Sequence, residues 1–118
     1  MKEISPQLQN QIQQYQQLQQ QLQVFGTQRL QLEAKLREVE NTLEELGKLP
    51  KDAPVYKSIG VLLVKADERE ALKKELEEHK ETLTIRVKTI QKQEKALGER
   101  YEDLQRKIQT ALGGPQTG

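Results

Sequence analysis

His79 is the one histidine of the chain, and it stands among Glu77, Glu78 and Glu81. An imidazole beside carboxylates can act as a general base or join a metal site. Its neighbours argue against both. Glu70 with Lys74, and Glu77 with Glu81, repeat at four-residue spacing, which puts charges side by side on one helix face. His79 then reads as a solvated surface residue. There is no cysteine, so no thiolate, disulfide or Cys/His zinc set is available. Gly113-Gly114 lies at the end of the chain with no helix to follow, so it is no phosphate loop. With no concave core to perturb a carboxylate, the expectation is no catalytic residue, no metal, no cofactor and no enzyme activity.

The chemistry left is that of apolar surface. Val55-Tyr56-Lys57-Ser58-Ile59-Gly60-Val61-Leu62-Leu63-Val64-Lys65 is rich in β-branched and aromatic residues and broken by one glycine. It reads as a short hairpin with its turn at Ser58 to Val61. Val61 to Val64 is apolar at every position, so both faces of that strand require cover. Leaving it bare forfeits roughly 1.5–3 kcal/mol for each large side chain. A lone two-stranded hairpin is barely stable in water. The chain has little to cover it with, so the cover is expected from other chains.

Composition sets the same limit. Hydrophobic residues make up 34% and charged residues 31%, with one Phe, three Tyr and no Trp. That suffices for helix seams, not for a thick core. The net charge of +1 comes from interspersed acids and bases, so nucleic acid is not an expected partner. No stretch approaches the ~18–20 apolar residues of a membrane span, and no apolar run follows Met1-Lys2-Glu3-Ile4. The expectation is a soluble, cytoplasmic protein with no signal peptide and no membrane partner.

Two long helices flank the hairpin. The first, expected over 5–47, starts with Ser5 as N-cap and Pro6 at the first helical position. Leu8, Tyr15, Leu22, Arg29, Leu36 and Leu43 form one seam set. Ile4, Gln11, Leu18, Phe25, Leu32, Val39 and Leu46 form the other. The alternating spacing of three and four is that of a left-handed coiled coil, interrupted only by Gln11 and Arg29. The glutamine-rich stretch from Gln7 to Gln23 keeps this phase, so it reads as a solvated helix surface rather than an aggregating tract. Gly47 is expected as a left-handed helix terminator, with Pro50 beyond it.

The second helix, expected over 67–112, starts from a capping-box-like Asp67 and Glu70. Leu76, Leu83, Ile90, Leu97, Leu104 and Ala111 form its regular seam. Lys73, Lys80, Val87, Glu94, Tyr101 and Ile108 form a mixed one. Gly98 has no evident reason to be there. Gly113-Gly114-Pro115 ends the helix, and 113–118 is expected to be a flexible tail. The helices should fold back as an antiparallel pair in a register where facing residue numbers add to about 119. Leu36 then faces Leu83, Leu18 faces Tyr101, and Arg29 lies one layer from Glu94. An Arg29–Glu94 contact across the seam is expected, fixing the register as polar seam residues can.

Apolar residues also gather at the helix ends remote from the hairpin along the chain: Ile4, Leu8 and Ile12, then Ile108 and Leu112. Ile12 and Leu112 fall off the seam. They are either the frayed end of a coiled coil or a surface for unfolded chains, which expose hydrophobic segments.

Asp52 to Lys65, with its Val-Tyr-Lys-x-x-Gly segment and apolar strand, resembles the hairpin of the β-type subunits of the prefoldin family, particularly the archaeal form. Supporting matches are Asn41-Thr42-Leu43-Glu44-Glu45-Leu46, Ile90-Gln91-Lys92-Gln93-Glu94, Leu104-Gln105 and Ile108-Gln109-Thr110-Ala111-Leu112. A single central hairpin fits the β type, since α-type subunits carry two.

The resemblance implies one prefoldin-like domain over 1–118, mainly α, whose hairpin joins an intersubunit β-barrel. It implies a hetero-hexamer of two α and four β subunits. Such an assembly holds non-native proteins at its coiled-coil tips and passes them, without ATP, to a group II chaperonin. Carried onto this chain, Val55, Tyr56, Ile59, Gly60, Val61, Leu62, Leu63 and Val64 serve oligomerisation. Ile4, Leu8, Ile12, Ile108 and Leu112 match the substrate-binding tips by location. A structural scaffold or filament subunit assembled through the same hairpin is the alternative.

Overall fold

In a computed structural model, residues 4–113 are described; Met1–Glu3 and 114–118, most of the expected tail, lie outside them. The chain runs α1 (Pro6–Lys48), β1 (Tyr56–Ile59), β2 (Leu62–Lys65) and α2 (Arg69–Ala111). Contacts group it into two compact units. One holds 31–87, and the other holds the described residues up to Leu30 and from Lys88 onward.

In the second of these units, α1 begins as its sequence dictates. The Leu8 N–H donates to Ser5 Oγ at 3.1 Å, and the Gln9 N–H donates to the Ser5 carbonyl at 2.9 Å. Ser5 is thus the N-cap and Pro6 the first helical residue. The glutamine-rich stretch is unbroken helix. Leu8 and Leu18 are buried on α1 and Ile90 on α2, with Leu22, Phe25, Leu97 and Leu104 half-buried. These are the seam positions, while Ala111, placed on that seam by its spacing, is exposed. Gly113, at φ +73°, ends α2 in the left-handed conformation that glycine adopts most readily.

The α1 and α2 segments of this unit run antiparallel. Arg29 Nε donates to Glu94 Oε1 at 2.6 Å, the contact expected across the seam. Tyr15 and Tyr101 stack with ring centroids 4.4 Å apart and planes 16° apart. Both pairs suit the expected register; a slip of one heptad would separate them. Gly98 has open space around its missing Cβ, and nothing in the structure explains it.

The unit of 31–87 holds the remaining helix segments and the hairpin. Val39, Leu46, Leu83 and Val87 are buried, and Leu83, at 2% exposure, is the most enclosed of the large side chains. Lys73 and Lys80, also at seam spacing, are exposed; Lys80 Nζ lies 3.8 Å from Glu40 Oε2. That contact suits the same register.

Three details depart from expectation. Gly47 is helical with no positive φ, and α1 ends one residue later. The terminator it was expected to supply is replaced by the guanidinium of Arg69. Asp67 does not cap α2. The Glu68 carbonyl accepts the Leu72 N–H at 3.1 Å, so Glu68 holds the cap position and Asp67 lies outside. Ala71 then occupies the third helical position, and no capping box with Glu70 can form. The hairpin turn also sits one residue later than Ser58 to Val61, for a reason given below.

Candidate functional site

The hairpin is antiparallel, with Tyr56 opposite Lys65, Lys57 opposite Val64, Ser58 opposite Leu63 and Ile59 opposite Leu62. Its two-residue loop is Gly60-Val61, and only Gly60 has positive φ, +58°. A two-residue loop with positive φ at its first position is the type II′ turn, which favours glycine there. This moves the turn to Ile59–Leu62 and leaves Ser58 in the strand. Beyond the strands, the Ala66 N–H donates to the Val55 carbonyl at 2.8 Å.

That register decides which side chains share a face, because opposite residues point the same way. Tyr56 and Leu63 lie on one face with Ser58 and Lys65. Ile59, Leu62 and Val64 lie on the other with Lys57. Both faces are therefore apolar in part, and both are bare in the isolated chain. Val61, at the turn, is 101% exposed and Leu63 73%, while Tyr56, Ile59, Leu62 and Val64 are exposed to lesser degrees. Val55 is half-buried. Among the described residues, each strand also has an outer edge with no strand partner, a template for pairing with another strand.

The base of the hairpin is anchored by polar contacts that periodicity does not reveal. Arg69 Nη2 donates to the Leu49 carbonyl at 2.9 Å and to the Leu46 carbonyl, and Nη1 donates to the Pro50 carbonyl at 2.6 Å. One guanidinium thus satisfies carbonyls at the C-terminus of α1 and just beyond it. Its positive charge suits the negative end of that helix dipole. Lys57 Nζ meets Glu75 Oε1 at 2.8 Å, but both side chains are exposed and the pair adds little stability. An arginine at the start of a helix was the only available signal for Arg69, and that signal says nothing of its partners.

Arg69→Met keeps much of the aliphatic stem and removes the donors. It is expected to lower unfolding stability by about 1.5–3 kcal/mol, the range for hydrogen bonds to a charged group. Arg69→Lys should recover only part of this, because an ammonium lacks the planar fork. Denaturant unfolding of the three chains checks it; equal midpoints would mean the cap is not stabilising.

The helix-end residues lie in the other unit. Ile4 and Leu112 are exposed, and Ile12 and Ile108 are half-buried. Leu8 is 7% exposed. It fills the seam, as its heptad position requires, and presents little surface to a ligand. Ile12 and Ile108 meet in a groove of about 390 Å³ with Tyr15, rimmed by Gln16, Gln19, Gln105 and Gln109.

The Tyr15 and Tyr101 hydroxyls share a 2.7 Å hydrogen bond. That bond, with lesser contributions from desolvation and the neighbouring ionisable hydroxyl, raises the Tyr15 pKa above the ordinary tyrosine value. The neutral phenol is thus favoured more in the folded chain than in the unfolded one. The resulting stability is complete below the unfolded value of about 10 and is lost as pH rises through the folded one. Thermal unfolding across that range should show a steeper alkaline loss for the native chain than for Tyr15→Phe. Parallel curves would remove the effect.

His79 lies on an exposed stretch of α2. Among the described residues no three His, Cys, Asp or Glu side chains are placed to hold a metal ion. Among them, too, no helix is long and apolar enough to cross a membrane.

Comparison with known proteins agrees with this architecture. Residues 9–114 match the family model described as "Prefoldin subunit". The chain is 52% identical to a prefoldin subunit beta of Archaeoglobus fulgidus over 118 residues, the whole of both chains. It is 47% identical to that of Thermoplasma volcanium over 105 residues, 89% of this chain and 85% of the relative. The crystal structure of the prefoldin beta subunit from Thermococcus strain KS-1 superposes with a TM-score of 0.86 at 39% identity, over 98% of this chain and 100% of that one. A family match over most of the chain, full-length relatives and a shared fold together establish that the chain belongs to the prefoldin subunit family.

Proposed function

We propose that the chain is an ATP-independent holdase chaperone subunit of the cytoplasm. It assembles through its hairpin with an α-type subunit, two α and four β, into a hexamer whose hairpins form an intersubunit β-barrel. The helix ends around Ile4, Ile12, Ile108 and Leu112 hold non-native proteins, which pass to a group II chaperonin. The observation that carries this reading is the hairpin, apolar on both faces and bare on both. Such a surface is unfavourable in water unless other chains cover it. Bringing several sets of helix ends onto one platform turns weak contacts into avidity.

Native mass spectrometry of the chain with an α-type subunit tests the assembly, and suppression of aggregation of a denatured protein by that complex tests the activity. A hexamer that suppresses aggregation, and loses that ability when 1–12 and 108–118 are removed, supports the reading. A hexamer without the activity points to the scaffold alternative. A well-ordered monomer that ignores its partner overturns the assembly.

A further inference from the structure

The chain has no cysteine, so no disulfide can join its two helices. It does hold two tyrosines, one from each helix, in a geometry that suits a different covalent bond. Tyr15 of α1 and Tyr101 of α2 stack with centroids 4.4 Å apart and planes 16° apart. The Tyr101 hydroxyl donates to the Tyr15 hydroxyl at 2.7 Å, so the hydroxyl ends of the two rings lie together. The ortho carbons that flank those hydroxyls are therefore neighbours as well. Both side chains are half-buried, and Tyr15 lines the groove beside Ile12 and Ile108, where a small solute has access.

Taking one electron and the hydroxyl proton from a phenol leaves a phenoxyl radical. Its unpaired electron is spread over the oxygen and the ortho and para carbons, in lobes that stand perpendicular to the ring. Two such rings held face to face point these lobes at one another. A stack is thus the approach that a new carbon–carbon bond requires, and holding it ready supplies the proximity that free tyrosines lack. The shared hydrogen bond also keeps the Tyr15 phenol neutral beyond the ordinary tyrosine range, so phenolate repulsion does not part the rings.

We infer that Tyr15 and Tyr101 form an oxidative modification site, at which small one-electron oxidants of the carbonate-radical class join the two rings as dityrosine. Each tyrosine gives one electron to one equivalent of oxidant and one proton to water. The two radicals pair, forming a bond between ortho carbons. Each coupled carbon then passes its hydrogen, as a proton, through water to its ring oxygen, which restores both phenols. The link ties positions 86 apart in sequence. A cross-link over so long a loop restricts the unfolded chain and so stabilises the folded one. It staples the helix pair in its register, and thiols do not reverse it.

The test exposes the full chain to photo-oxidised tris(bipyridyl)ruthenium, regenerated by persulfate, and maps its peptides by mass spectrometry. The expected product is a Tyr15 peptide joined to a Tyr101 peptide, two hydrogens lighter than their sum, in a yield independent of protein concentration. Chain unfolded in urea should give at least about tenfold less, because a flexible loop supplies an effective concentration of only about millimolar or below. Tyr56 is the internal control, exposed on the hairpin and stacked on no ring among the described residues. Tyr56→Phe should keep the product, and Tyr15→Phe should lose it. The linked chain should melt at a higher temperature than the unlinked one. Folded chain that yields no Tyr15–Tyr101 product, or no more than unfolded chain does, overturns the inference. Equal melting temperatures overturn the staple. Neither result bears on the chaperone reading.

Discussion

Replacing Leu62 and Leu63 with Glu should abolish assembly while leaving the chain's helices intact. Both leucines are exposed in the isolated chain and lie on opposite faces of the hairpin, so their loss removes little packing within it. In the assembled state each would give up roughly 1.5–3 kcal/mol of burial. Each would also bring an unpaired carboxylate into an apolar interface, which costs more still. The combined effect exceeds what one interface between small hairpins can absorb, so native mass spectrometry should find free chain where the native sequence gives a complex. Circular dichroism should show an unchanged helical signal. If the variant still assembles, the hairpin is not the interface. If it loses its helices, the hairpin is part of the chain's own core.

Leu83→Ala should do the reverse. Leu83 is the most enclosed large side chain of its unit and sits at a seam position facing Leu36 in the expected register. Truncating it removes buried methyl groups and leaves a cavity in the seam. Such changes cost about 2–5 kcal/mol. Against the ~5–15 kcal/mol that holds a domain, the melting temperature should drop by many degrees. The exposed hairpin side chains are untouched, so at temperatures where the variant is folded it should still assemble. A Leu83→Ala chain as stable as the native one would show that the seam is not packed as described. The two variants together separate the stability of the chain from the adhesiveness of its hairpin.

The contrast between these leucines was already visible as a difference in period. Leu83 belongs to a seven-residue repeat that places apolar side chains on one stripe of a helix. Leu62 and Leu63 are adjacent in a strand, and adjacent strand residues point to opposite faces. Periodicity therefore distinguished a side chain that a partner helix can cover from a pair that one neighbour cannot cover. The Arg29–Glu94 contact was legible on the same basis. Once the seams are numbered, an antiparallel register places the lone cation of one near the anion of the other.

Other features eluded periodicity for identifiable reasons. Leu8 belongs to the helix ends by location, but its heptad position buries it. Spacing sets Leu18 opposite Tyr101, but it does not show that Tyr15, one turn away, stacks on the same ring. Apolar spacing does not fix the turn, which the pairing of Ile59 with Leu62 and the positive φ of Gly60 set one residue later. Each of these is a choice between near neighbours that spacing alone leaves open.

Sequence alone determined the two helices, their seams, the register between them and the bare strand, since each follows from local spacing repeated along the chain. Only tertiary structure decided that Arg69 closes the end of α1 and that Ile12 and Ile108 meet in one groove. Those outcomes depend on donors, carbonyls and apolar side chains brought together from distant parts of the chain, and a repeat of seven residues carries no record of such meetings.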